Sequence, residues 1–306
     1  LGMEYKAAWL AGLSAKALLS YNQTYAGGKI FNKGVGLYTY DHASEQYALV
    51  GSIGAAQPSL SQGKSQSRII TGQLSINYDR KIADDHQLNV MLLHEAIDYS
   101  SDFINAARIN FLSPAIDQLY AGSTNGMSNT GSATEMGRSS FVGRLNYNFR
   151  EKYLVEAILR ADASAKFSSD RRWGYFPSLS FGWVVSDEQF MGWAEGLDNL
   201  KFRASYGESG NDAVGNFQYL SGYGYGRTYI FGSAASQGMI ATGLANPDLT
   251  WEEMKISNVG AEFSFWKGKL YGELDAFYRN REGIPTVRLA TLPSTFGASL
   301  PAENIN

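Results

Sequence analysis

Cysteine is absent from this chain of 306 residues, which excludes disulfides, thiolate metal sites and a thiol nucleophile while leaving the compartment open. Histidine is scarce as well. His42, His86 and His94 form no spacing of the His-Glu-x-x-His kind, and His94 and Glu95 are neighbours on a predicted strand, so their side chains leave opposite faces. Asp84 and Asp85 fall in a predicted turn, where carboxylates are common without a cation. No metal and no cofactor is expected. Long apolar runs are missing too: none approaches the roughly 18 residues of a transmembrane helix, so a membrane location would require a barrel. Charge of one sign does not accumulate, since the net charge is -3 and Lys and Arg are scattered, which sets nucleic acid aside. No Gly-x-Ser-x-Gly elbow occurs. Gly207-Glu208-Ser209-Gly210-Asn211 lacks the Lys-Ser/Thr of a phosphate loop and reads as a strand exit. The chain therefore reads as no enzyme. Leu1 is not an initiator, and the end at Asn306 carries no closing element, so the sequence is expected to be an internal piece of something longer.

What the chain does have is alternation. In Tyr153 to Asp162 one face carries Tyr153, Val155, Ala157 and Leu159, and the other Glu156, Arg160 and Asp162, which is the period of a strand between an apolar and a polar environment. The same period runs through Phe141–Phe149, Leu200–Tyr206, Val259–Phe265, Leu270–Tyr278 and Ile70–Tyr78. It predicts an all-β fold of about ten strands near Met3–Leu10, Ser14–Tyr25, Ser65–Tyr78, Gln87–Tyr99, Gly137–Phe149, Tyr153–Ser164, Trp173–Val184, Leu200–Gly207, Lys255–Phe265 and Lys269–Asn280.

The links alternate in length. Short ones at Ala11–Leu13, Asp79–His86, Arg150–Lys152 and Trp266–Gly268 alternate with long ones at Ala26–Lys64, Ser100–Met136 and Glu208–Met254. Antiparallel strands joined in this way put tight turns at one end and long loops at the other, as in an outer-membrane barrel. Two links blur the rule: Ala165–Arg172 is modest, and Val185–Asn199 is longer than a turn. Within the latter, Ser186 to Trp193 reads as a capped short helix. The long links are rich in Gly, Ser, Ala and Asn and read as loops.

Trp9, Tyr78, Phe149, Tyr153, Trp183, Phe265, Trp266 and Tyr271 lie beside the tight-turn end, where amphipathic rings suit a membrane interface. A soluble β-sandwich also alternates and also uses aromatics, so the period alone leaves that alternative open.

Four stretches carry a family likeness: Gly143–Leu154 (GRLNYNFREKYL), Arg172–Trp183 (RWGYFPSLSFGW), Leu197–Asn211 (LDNLKFRASYGESGN) and Asn246–Glu252 (NPDLTWE). Their order and spacing resemble the SusC/RagA group of TonB-dependent outer-membrane transporters, most densely from Arg138 to Asn280. One departure is the run Arg160–Phe167 (RADASAKF), where the family often has Asp-Gly-Ser-Ser. Alanine at that point suggests a backbone that needs no positive φ.

The resemblance implies an antiparallel transmembrane β-barrel of roughly 22 strands plugged by an N-terminal domain. Residues 1–306 would supply about half the wall with long extracellular loops, the plug and closing strands lying outside the chain. It implies active import of a bulky nutrient such as an oligosaccharide or peptide across the bacterial outer membrane. The partners would be outer-membrane lipid, a SusD-like surface lipoprotein over the loops, and TonB acting through a missing N-terminal region. A passive porin or adhesin-like barrel is the alternative, with a soluble β-rich glycan-active enzyme behind it.

Candidate solute contacts are Tyr223, Tyr225 and Tyr229 in the stretch Gly222–Phe231, whose rings can stack on a sugar or peptide; the plainer expectation is a hairpin packed on neighbouring loops or a lid. Arg160 and Asp162 are expected on the lumen side near the long-loop end and Arg203 near the turn end, as ion pairs, plug contacts or solute contacts. Glu262, Glu273 and Asp275 read as wall-to-plug contacts rather than an acid/base pair, which would also need a cleft.

Overall fold

The computed structural model describes residues 1–54, 57–289 and 293–306. In chain order the strands are β1 (Gly2–Lys6), β2 (Leu13–Asn32), β3 (Val35–Asp41), β4 (Gln46–Ile53), β5 (Ser59–Ile82), β6 (His86–Ile109), β7 (Ser128–Phe149), β8 (Tyr153–Ser164), β9 (Trp173–Val184), β10 (Leu197–Asn211), β11 (Tyr223–Phe231), β12 (Ala234–Ala241), β13 (Glu252–Phe265), β14 (Leu270–Glu282), β15 (Ile284–Val287) and β16 (Ala302–Ile305). One ten-stranded sheet takes β1, β2, β5 to β10, β13 and β14 in that order, while β3–β4, β11–β12 and β15–β16 pair separately.

The ten expected strands are thus the ten strands of the sheet, and β8 and β9 have the expected bounds. The differences lie where the apolar period fades. β1 stops at Lys6 rather than Leu10, and β2, β5, β6 and β7 continue far into stretches that read as loops. Their extra residues carry large apolar groups only here and there, Ile30 and Phe31, Leu60, Phe103 and Ile104 among Gly, Ser, Asn, Gln and Lys, so the backbone ladder persists without a regular period to reveal it. β10 likewise runs on to Asn211, through the residues expected to form a strand exit. The expected helix between Ser186 and Trp193 is instead two 3-10 turns, Val185–Asp187 and Gln189–Met191, without a side-chain cap on either. No residue of Arg160–Phe167 has positive φ, as the alanine there implied.

The chain divides into two compact units. Residues 21–70 and 98–135 hold the extended arms of β2, β5, β6 and β7 together with the β3–β4 hairpin. Leu60 and Phe111 are buried there, Phe31 meets Phe111 edge to face at 5.2 Å, Lys29 pairs with Asp117 at 3.0 Å and Gln66 donates to Asp102 at 2.7 Å.

Residues 1–20, 71–97 and 136–306 hold the two-faced part of the sheet. Register aligns Phe141 with Ala161, Gly143 with Leu159, and Leu145 with Ala157 in one row, and Ser140 with Asp162, Arg144 with Ile158, and Asn146 with Glu156 in the other. The apolar row continues through Leu179, Phe181, Phe202, Val259 and Leu274; the polar row continues through Ser180, Lys201, Arg203, Glu262 and Asp275. Leu159, Leu179, Val259 and Leu274 are all more than half exposed, so the large apolar side chains face outwards rather than into a core. Tyr271 is the exception among the aromatics read as interfacial: it pairs with Ser264, in the row of Glu262 and Glu273.

Tight turns close one end. Between β7 and β8, Arg150 and Glu151 both adopt positive φ, 55° and 57°, and the Lys152 amide donates to the Phe149 carbonyl at 3.0 Å to close the turn. Between β9 and β10, Glu188 accepts from Tyr153 Oη at 2.6 Å and Trp183 Nε1 at 3.1 Å, fixing two interfacial rings.

At the other end the loops fold onto the polar face around a small core of Phe167, Phe176, Leu249 and Trp251. Phe176 lies over Gly174 and Gly210, where an added Cβ would come within 2.4 Å and 2.0 Å of its ring, so only glycine admits the ring there. Trp251 Nε1 donates to the Arg172 carbonyl at 2.9 Å, and Ser168 Oγ donates to that of Pro247 at 2.8 Å. Asn304 then accepts from the Thr250 amide at 2.9 Å and donates to the Thr250 carbonyl at 2.9 Å.

Truncating Leu249, 1% exposed, to alanine should cost about 2–5 kcal/mol in this local core, read as faster amide hydrogen exchange across Asn246–Trp251 while the β7–β8 amides stay protected. Glu188 titrates below the usual value of 4.5 because Tyr153, then Trp183, donate to its carboxylate. A depressed carboxylate stabilises the fold above the unfolded value and loses that contribution as pH falls through the native one. Tryptophan fluorescence should therefore hold steady down to about pH 4.5 and change below it, and Glu188→Gln should remove that component of the acid response.

Candidate functional site

Polar side chains from β6 to β13 line a groove of about 520 Å³ on the polar face, with Arg144, Asn148, Glu156, Lys201, Arg203 and Asn258 on its walls. Period two puts these groups on one side of the sheet, and the antiparallel register puts them at one height. Arg144 donates to Glu156 through Nε at 2.9 Å, and Asn146 joins that pair when its amide is oriented to donate to Glu156. The amide oxygens of Asn148 and Asn258, on the groove walls, are enclosed without a partner among the described residues.

Arg203, expected near the turn end, stands at the centre of an ionic cluster. It donates to Glu262 at 2.7 Å and to Asp275 at 2.5 Å, and also to Glu273, while Lys201 lies 3.8 Å from Glu262. Two cations of β10 thus face three carboxylates, one from β13 and two from β14. Glu273 and Asp275 share one guanidinium and do not line this groove. Among the described residues no group of His, Asp and Glu is arranged to hold a metal ion. The arrangement presents hydrogen-bonding groups and charge of both signs.

Arg160 and Asp162 do come together, near the long-loop end as expected. Arg160 Nε donates to Asp162 at 2.6 Å, and Nη2 reaches Ser140 Oγ at 3.3 Å. Asp162 is buried rather than solvated, and its second oxygen is enclosed without a partner. Arg203 belongs to the separate cluster with Glu262.

Tyr223, Tyr225 and Tyr229 lie on β11, which pairs with β12, the plainer expectation for that stretch. All three are exposed. Tyr223 and Tyr225 stand opposite Ala241 and Met239. A bulge between Gly226 and Thr228 then shifts the register, and Tyr229 faces Ser236, on the other side of the ribbon. The three rings therefore do not form one platform.

One cluster has no local signature in the sequence. Asp212, 3% exposed, accepts from Arg138 Nε at 3.1 Å and from Ser164 Oγ at 2.8 Å, with a second bond from Arg138 Nη2, while Lys166 Nζ donates to its carbonyl at 2.9 Å. It fixes the base of the segment that carries the β11–β12 hairpin. Only the charge types, spread over three distant stretches, were visible beforehand.

The family model for TonB dependent receptor-like β-barrels matches residues 5–305. Over 186 residues the chain is 33% identical to the TonB-dependent receptor SusC of Bacteroides thetaiotaomicron, covering 58% of this chain and 18% of that protein. Over 172 residues it is 32% identical to a TonB-dependent receptor of Formosa agariphila, covering 55% of this chain and 17% of that one. Among solved structures, the RagAB peptide importer in its open-open state superposes with a TM-score of 0.80 at 21% identity, covering 97% of this chain and 30% of that chain, a likeness of fold alone. The chain therefore spans less than a third of the relatives it matches. With its antiparallel sheet, outward apolar row and nearly complete family match, it belongs to the TonB dependent receptor-like β-barrel family, in the SusC/RagA group.

Proposed function

We propose that the whole protein is an active transporter of the bacterial outer membrane that imports a bulky nutrient, an oligosaccharide or a peptide. Residues 1–306 would contribute a ten-stranded part of its wall, with the loops outside the cell and the remaining strands and a plug supplied by other residues. The carrying observation is the exposed apolar row, Leu159, Leu179, Val259 and Leu274, backed by a polar row of paired ions: hydrocarbon accepts the first and a watered lumen the second. Membership of the family supports coupling to TonB and a SusD-like lipoprotein over the loops. The barrel residues do no covalent chemistry in this reading.

Tyr223 and Tyr225 would offer one stacking face to solute, with Tyr229 on the opposite side of the ribbon, and Arg160, Asp162 and Arg203 would contact solute or plug within the lumen. Replacing Tyr223 or Tyr225 by alanine should each cost about 0.5–1.5 kcal/mol of solute affinity, measured by calorimetry with oligosaccharide and peptide panels. Tyr229→Ala should cost less for the same ligand.

Uptake by cells carrying the intact protein tests the reading as a whole. Collapse of the proton-motive force should abolish it, whereas a passive pore would continue to conduct.

A further inference from the structure

On the apolar face, a groove of about 420 Å³ runs across four strands between Leu74 and Ile76 of β5, Leu92 of β6, Phe141 of β7 and Leu159 of β8. Its floor is Gly143. His94 closes it, its ring stacked on Phe141 at 4.4 Å with Nδ1 3.2 Å from the Ser140 carbonyl.

Glycine in a strand interior weakens the strand and needs a reason. Several glycines of this sheet have one: a Cβ at Gly174 or Gly210 would strike Phe176, at Gly260 Asp275 and Arg203, and at Gly272 Phe263. Gly143 has none among the described residues. Its φ is not positive, and a Cβ there would meet only Leu92, at an ordinary 3.6 Å. Gly72, two residues before Leu74 in the same row, has nothing within 4 Å. Both therefore leave room for something outside the protein.

We propose that this groove holds one acyl chain of an outer-membrane lipid in a fixed position. The inference rests on the membrane reading above. The groove is continuous with the apolar row that the barrel turns to hydrocarbon, and apart from His94 its lining is apolar, without Asp, Glu, Lys or Arg. Leu159 and Ala161, the seventh and ninth residues of β8 from the turn end, put it in the half of the wall nearer the long loops, so the chain comes from the outer leaflet.

The test is photocrosslinking of the intact protein in phosphatidylethanolamine vesicles containing a small fraction of lipid with a diazirine on its acyl chain, with adducts mapped by mass spectrometry. Adducts should be several-fold denser on Leu74, Ile76, Leu92 and Phe141 than on Leu179 and Leu274, which are comparably exposed. Gly143→Leu should bring the groove down to the level of Leu179 while the Leu179 and Leu274 adducts persist. Gly143→Ala, whose methyl fits, should give an intermediate density and covers the case in which the larger variant fails to insert. Adducts spread evenly over the face, or unmoved by either variant, overturn the acyl-chain site alone. No adducts anywhere on the face overturn the membrane reading with it.

Discussion

Hydrocarbon offers no partner to a peptide group, so the structure depends on each strand satisfying its backbone hydrogen bonds through its neighbours. The ladder from β7 to β14 does this with nearly unbroken antiparallel register, interrupted only near Leu197 at the turn end. Once the backbone is satisfied in this way, side chains alternate by geometry alone, and one choice of register assigns Leu159 and Leu179 to one side and Arg160 and Ser180 to the other. A slip of one residue would exchange the faces. The ionic cluster around Arg203 gives one reason it does not: Glu262, Glu273 and Asp275 meet the guanidinium only in the observed register.

The two ends of the strands are finished differently. Turns at Arg150–Glu151 and Trp266–Gly268 accept left-handed backbone to reverse the chain in minimum length, and Glu188 ties Tyr153 and Trp183 together beside them. At the long-loop end the chain instead builds a small core over the polar face, with Phe176 seated on glycines of its own and a neighbouring strand and Trp251 tied to the Arg172 carbonyl. Asp212 fixes the base of the next long segment. The β11–β12 hairpin beyond it carries exposed rings on a defined foundation.

Much of this was legible in the residues, because the hydrocarbon imposes a pattern strong enough to read. β8 and β9 carry the period to both ends, and their bounds were visible for that reason. The arms of β2, β5, β6 and β7 were not, since their apolar residues, such as Ile30, Phe31, Leu60 and Phe103, fall at no regular period among polar and small ones while the backbone goes on pairing. The pairing of Arg160 with Asp162 was local and readable. Arg138 and Asp212, 74 residues apart, meet only through the fold, and the bulge that turns Tyr229 away from Tyr223 and Tyr225 leaves no mark in composition. The stretch Asn246–Glu252 was visible as a family likeness, but the work of Leu249 and Trp251 lies in contacts with Phe167 and Phe176.

Residues 1–306 contain no cysteine, so single thiols introduced along β8 and β9 can each carry a nitroxide with no native thiol in this stretch to compete. Spin-label accessibility in lipid vesicles, comparing oxygen with a polar nickel chelate, addresses the two-faced wall directly. The account predicts oxygen-rich, chelate-poor environments at positions 155, 157, 159, 179 and 181, and the reverse at 156, 158, 160, 178 and 180. Equal accessibility in both sets, or an outward row shielded from both reagents, would contradict it.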